Sequence, residues 1–153
     1  LTYHYEDFTV GRVFELGSKL MTPAEIIEFA SEFDPQPMHL SEEAGKASIL
    51  GGLAASGWHT CSVFMRMSAD AFIIDSTSQG SPGVEYVDWK KPVLAGDTLT
   101  GRASVLEARL LRSRPGFGIV KFENELRNQR GEVVCMGALS IIFGARDGSG
   151  VTL

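Results

Sequence analysis

Asp34 and His39 stand five positions apart in the run Phe33-Asp34-Pro35-Gln36-Pro37-Met38-His39. A carboxylate and an imidazole held at a fixed separation are the parts that proton transfer near neutral pH requires. Pro35 and Pro37 supply the fixing. Each restricts its own φ and pushes the residue before it out of the helical region, so Asp34 and Gln36 are expected to be extended. From spacing alone a bland use stays open. Asp before Pro ends many helices, and a single histidine is more often packed or solvated than catalytic.

The flanking elements must hold this loop in place. Thr22-Pro23-Ala24-Glu25 reads as a helix start, with Thr as cap, Pro at the first position and Glu reaching back. Ile26, Phe29, Ala30 and Phe33 then give one apolar face, and the two prolines stop the helix. Ser41-Glu42-Glu43-Ala44 starts a short second helix, its acids at the positive end of the dipole. Ser48 to Ala55 is apolar and glycine-rich. Gly51-Gly52 follows no phosphate-loop or dinucleotide spacing and reads as a flexible turn. Ser56 can cap a helix that opens at Gly57. From Trp58 to Ile74 the chain is apolar on nearly every face, which predicts a buried helix ~26 Å long at helical rise.

Strands make up most of the rest. Val13 to Met21 is one, with Gly17 marking a bulge or bend. Val84 to Lys90, Thr98 to Leu111, Phe117 to Asn128 and Val133 to Phe143 follow the long helix. Leu99, Gly101, Ala103 and Val105 share one predicted inner face, and Val120, Phe122 and Leu126 another. Strands gathered apart from helices predict an α+β class with an antiparallel sheet around one helix. Residues 1–11 form a polar lead-in whose Tyr3, Tyr5 and Phe8 could cover a sheet edge or a partner. Residues 146–153 are expected to be a flexible tail of a domain spanning 1–153.

Composition narrows the classes. The formal net charge is -5 and no basic stripe occurs, which argues against nucleic acid. No apolar run is long enough for a membrane span. Leu1 to Val10 is polar and acidic, unlike a secretory leader. Cys61 and Cys135 lie in separate apolar stretches outside any Cys-x-x-Cys, so two buried free thiols and a cytoplasmic setting are expected. Three histidines without ligand spacing make no metal site. His4 falls in the lead-in and is expected to be solvated. His59 falls in the first turn of the long helix and reads first as a packed residue. No Gly-x-Ser-x-Gly elbow is present.

Asp34, Pro37 and His39 fit Asp-x-x-Pro-x-His, which resembles the hydratase motif Asp-x-Asn-Pro-x-His of the MaoC-like enoyl-CoA hydratases and acyl dehydratases; Gln36 stands where Asn is usual. Lys91-Pro92-Val93-Leu94-Ala95-Gly96-Asp97-Thr98-Leu99 is similar to that family's Lys-Pro-Val-x-x-Gly-Asp-Thr-Leu turn. The likeness covers nearly the whole chain. It implies a single hotdog fold and reversible hydration of trans-2-enoyl thioesters to (R)-3-hydroxyacyl thioesters. The carrier would be CoA or an acyl carrier protein. Asp34 and His39 would share one water, and the Gly57 N–H at a helix start would hold the thioester oxygen, with Ser56 and Gln36 beside them. No cofactor is implied, because CoA belongs to the substrate. A homodimer with the acyl tunnel at the subunit boundary is also implied.

Two rival readings remain open on the sequence. A hotdog thioesterase would use a carboxylate on or beside the long helix, but the nearest acid within it, Asp70, lies well past its N-terminal end. A non-catalytic acyl-CoA binding module would explain the departure at Gln36, while the intact Asp34 and His39 count against it.

Overall fold

A computed structural model describes residues 1–146. The expected tail therefore lies, apart from Arg146, outside the described residues. Arg146 itself is tied down: its backbone N–H donates to Glu6 at 2.9 Å and its Nη2 to Asp7 at 2.6 Å.

Five strands form one antiparallel sheet: β1 (Val13–Leu20), β2 (Gly83–Trp89), β3 (Thr98–Leu110), β4 (Phe117–Arg127) and β5 (Val133–Gly144). Their spatial order is β1-β3-β4-β5-β2. Three helices accompany them: α1 (Pro23–Phe33), α2 (Glu42–Ala47) and α3 (Gly57–Ser68). The sheet packs against α3, and the architecture is the hotdog fold. The predicted inner faces hold: Leu99, Gly101, Ala103 and Val105 are buried, as are Val120, Phe122 and Leu126. The register of β1 shifts between Glu15 and Ser18, and Gly17 there has φ +76°, so the bulge needs glycine.

Several expectations are corrected or refined. The helical run continues to Ile73 as expected, but it is α-helical only to Ser68 and turns π-helical at Ala69–Ile73. Nor is α3 covered on all sides. Trp58 is 62% and Met65 42% exposed, on the stripe that faces β2 and open solvent. The lead-in does not merely cover an edge: Phe8 is 1% exposed and stacks on Phe143 at 4.1 Å within a cluster of Phe14, Phe72 and Phe122. Full burial of such a ring contributes roughly 1.5–3 kcal/mol, so the N-terminal segment is part of the core. His4 is likewise not solvated throughout, since its Nδ1 is buried and unpartnered among the described residues.

Candidate active site

The segment 53–56 is clamped before it reaches the site. Leu53 N–H donates to Glu42 at 3.1 Å, Ala54 N–H to Met38 O at 3.2 Å, and Ala55 N–H to Val93 O at 2.8 Å. Gly52 is not a flexible turn residue. Its carbonyl lies so close to Gly45 that a Cβ there would stand 2.1 Å from it, so α2 packs directly on this loop. The clamp fixes two groups: the Ala54 carbonyl and the Ser56 hydroxyl.

His39 is buried and its Nδ1 lies 2.6 Å from the Ala54 carbonyl. A carbonyl can only accept, so Nδ1 carries the proton and the lone pair of the neutral ring is at Nε2. Nε2 lies 3.4 Å from Asp34 Oδ2. Asp34 caps the C-terminal end of α1 and its carboxylate accepts from two donors, Ser56 Oγ at 2.7 Å and Gln36 Nε2 at 2.7 Å. These two hydrogen bonds, Ser56 first, hold the carboxyl below its ordinary range. As expected, Gln36 is extended at ψ 142°.

Ser56 does not cap α3 with its side chain, contrary to expectation, because its hydroxyl is committed to Asp34. The α3 start is therefore left with unpaired N–H groups among the described residues. The amide of Gly57 has no acceptor among the described residues. Trp89 explains why residue 57 has no side chain. Its Nε1–H donates to Gly57 O at 3.0 Å, and a Cβ at 57 would meet its ring at 2.5 Å. Trp58 stands edge-on to Trp89 at 5.2 Å.

Asp34, Gln36, His39 and Gly57 line one cleft of about 370 Å³, bounded by Trp58, Trp89 and the Lys90–Pro92 turn. The structure thus brings the five site residues read from the sequence together. The two tryptophans were not among them. Trp89 lies 32 positions from the residue it bonds, and no local pattern marks that pairing.

His59 and Asp70 are placed elsewhere. His59 lies on another flank of α3, stacked on Phe29 at 4.7 Å and 7° between planes, with Nδ1 unpartnered among the described residues. Burial pushes its pKa down, opposed by the Glu25 charge. Asp70 is exposed in the π-helical turn and pairs with Arg66 at 3.1 Å. The thiols are free, and Cys61 is only half-buried. The neighbouring Cys135 thiol pulls the Cys61 pKa down, against the effect of burial. No metal-ligating cluster occurs among the described residues, and no helix there is long and apolar enough to cross a membrane.

Comparison with known proteins gives the same picture. The profile of the MaoC-like domain family matches residues 7–125. The chain is 30% identical over 139 residues to the YdeM protein of Bacillus subtilis, covering 90% of this chain and 96% of that one. It superposes on the crystal structure of a MaoC-like dehydratase from Rhodospirillum rubrum with TM-score 0.86 at 39% identity, covering 94% of this chain and 98% of that one. The R-hydratase PhaJ1 of Pseudomonas aeruginosa shares the fold, with TM-score 0.77 at 20% identity over 95% of this chain and 88% of that one. With the Asp34–His39 loop and the α3 start both inside the matched residues, this chain belongs to the MaoC-like domain family.

Proposed function

We propose that the chain catalyses reversible hydration of trans-2-enoyl thioesters to (R)-3-hydroxyacyl thioesters. One observation carries this reading. Two proton acceptors, Asp34 Oδ2 and His39 Nε2, face each other at 3.4 Å beside an unpaired helix-start amide. A water at the apex of that pair can donate one O–H to each, leaving a lone pair for the substrate β-carbon. On attack the water oxygen keeps one hydrogen and passes the other to the pair. The pair returns a proton to the α-carbon. The enolate oxygen that forms between these events is met by the Gly57 N–H, where the helix dipole also favours negative charge. The reaction needs only water as co-substrate. The (R) configuration is supported by the shared fold with the Pseudomonas R-hydratase.

Neither rival is favoured. Asp70 lies away from the cleft, and Gln36 donates to the Asp34 carboxylate, so the departure from Asn leaves that oxygen bonded. An assay with crotonyl-CoA separates the three: hydration removes the enoyl absorbance, thioester hydrolysis releases thiol, and a binder does neither. Loss of the enoyl band without thiol release is expected, and release of thiol would overturn the reading.

A homodimer is part of the proposal. β2 is an edge strand with Val84, Tyr86 and Trp89 exposed, next to exposed Trp58 and Met65 on α3. An apolar open edge invites pairing with a second copy. Sedimentation should give twice the 16.6 kDa chain mass, and an active monomer would refute it.

A further inference from the structure

A second cavity, of about 140 Å³, lies between α3 and the inner face of β4, β5 and β2. The register explains it. On β4 the inward residues Phe122, Asn124 and Leu126 stand opposite Leu139, Gly137 and Cys135 of β5. On the other side Asn124 faces Ala103 of β3. Small neighbours on both strands leave a gap over Asn124, and Cys61, Phe64 and Met65 of α3 roof it.

The lining is largely apolar, with Asn124 and Glu125 as its exceptions. Asn124 is 8% exposed and lines the cavity. A narrow extension of about 10 Å³ shares Phe64, Met65, Asn124 and Leu139 with the cavity and also touches Ser68. Ser68 is 2% exposed and its Oγ has no partner among the described residues. Buried hydroxyls are nearly always hydrogen-bonded, so the Ser68 hydroxyl, with the Asn124 amide beside it on the same space, calls for a partner from outside the chain. No Lys, Arg or His lines either space, which excludes a charged carboxylate as the natural match.

The cavity is placed to receive an acyl chain. Trp58 and Trp89 border the catalytic cleft, and Cys61 and Cys135, the neighbours of Trp89, border the cavity. From Gly57 to Cys61 is roughly 6 Å along the helix axis, and to Ser68 roughly 16 Å. A chain whose thioester oxygen sits at Gly57 and which follows the groove between α3 and β2 brings its distal carbons over Asn124.

Resting on the hydratase reading, with the acyl chain running between α3 and the sheet, we propose that Asn124 and Ser68 read a neutral oxygen on the chain. The preferred substrates are then hydroxy- or oxo-substituted enoyl thioesters rather than plain alkyl ones. Both side chains donate and accept, so either oxygen type is matched. A site built to hydrogen-bond a substituent discriminates strongly against the analogue lacking it, because its own polar groups are then left unpaired.

The test uses saturated thioesters, which cannot be hydrated: hexanoyl-CoA against 6-hydroxyhexanoyl-CoA, and octanoyl-CoA against 8-hydroxyoctanoyl-CoA. The fluorescence of Trp58 and Trp89, the only tryptophans, reports binding at the junction of the two spaces. The hydroxylated partner should bind about tenfold or more tighter. Asn124→Leu should bring that ratio close to one, and Ser68→Ala should lower it for the longer pair. Equal affinities in the wild-type protein, or an unchanged ratio in a folded Asn124→Leu variant, would overturn the inference. Should Asn124→Leu fail to fold, the wild-type ratio and Ser68→Ala decide. The matching trans-2-enoyl thioesters separate the two proposals. Hydration of plain and hydroxylated chains alike removes the subsite inference and leaves the reaction standing. Selective binding with no hydration of either removes the reaction and leaves the subsite.

Discussion

His39 and His59 are equally buried, at 7% and 6% exposure, yet they occupy opposite chemical situations. His39 has one ring nitrogen fixed by the Ala54 carbonyl and the other aimed at a carboxylate and an open cleft. His59 lies flat against Phe29, and its Nδ1 has no hydrogen-bond partner among the described residues. Burial by itself therefore says little about function. What separates a working imidazole from a packing one is a partner that sets the tautomer and a second that shares the reacting proton. The sequence holds the reason for the difference. His39 follows a rigid Pro-framed loop at a helix end, while His59 sits in the first turn of α3 with its ring on Phe29.

The largest effect should separate the two histidines directly. His39→Ala is expected to lower kcat by roughly 10²–10⁴, the size of a lost acid–base group. His59→Phe keeps the stack on Phe29 and should leave kcat within a few-fold; an equal loss in both would erase the contrast. Gly57→Ala comes next. The added methyl must displace Trp89 and break its bond to the Gly57 carbonyl, costing about 1–3 kcal/mol in stability and lowering turnover. Calorimetry and steady-state rates check the two halves. Ser56→Ala removes the largest cause of the low Asp34 pKa, the hydrogen bond from its hydroxyl. The carboxyl should then hold its proton to higher pH, so the acidic limb of the pH–rate profile should move upward; an unmoved limb would mean that Ser56 does not tune Asp34. The smallest effect is on stability. The folded-state pKa of His59 is depressed, so the unfolded chain takes up its proton first, and stability should fall as pH drops below ~6.5. His59→Phe should flatten that part of the curve, as followed by melting temperature against pH.

Much of this arrangement was legible in the sequence because it is local. The Thr22-Pro23 start, the stop at Pro35, the alternation along β3 and β4 and the Asp34–His39 spacing are all encoded within a few residues. The Thr22 cap forms, with Glu25 N–H donating to its Oγ at 3.2 Å, although the Glu25 carboxylate goes to Lys19 at 2.6 Å instead. What escaped is non-local. The Ser56 hydroxyl had a ready local use as a helix cap, and only the fold brings Asp34, 22 positions away, to claim it. Trp89 reaches Gly57 through the sheet, and Phe8 enters a core assembled from strands far along the chain. Asn124 carries no local signal, and only the register against Gly137 and Ala103 shows the space it faces.

The central claim is that Asp34 and His39 act as one unit on one water. It is tested by hydration of a trans-2-enoyl-CoA in the wild-type protein, Asp34→Asn, His39→Ala and the double variant. Each single change should cost roughly 10²–10⁴ in kcat, and the double change should cost about as much as the worse single one. Losses that multiply in the double variant would mean two independent roles, and near-normal hydration by Asp34→Asn would mean that the loop is structural and the chemistry lies elsewhere.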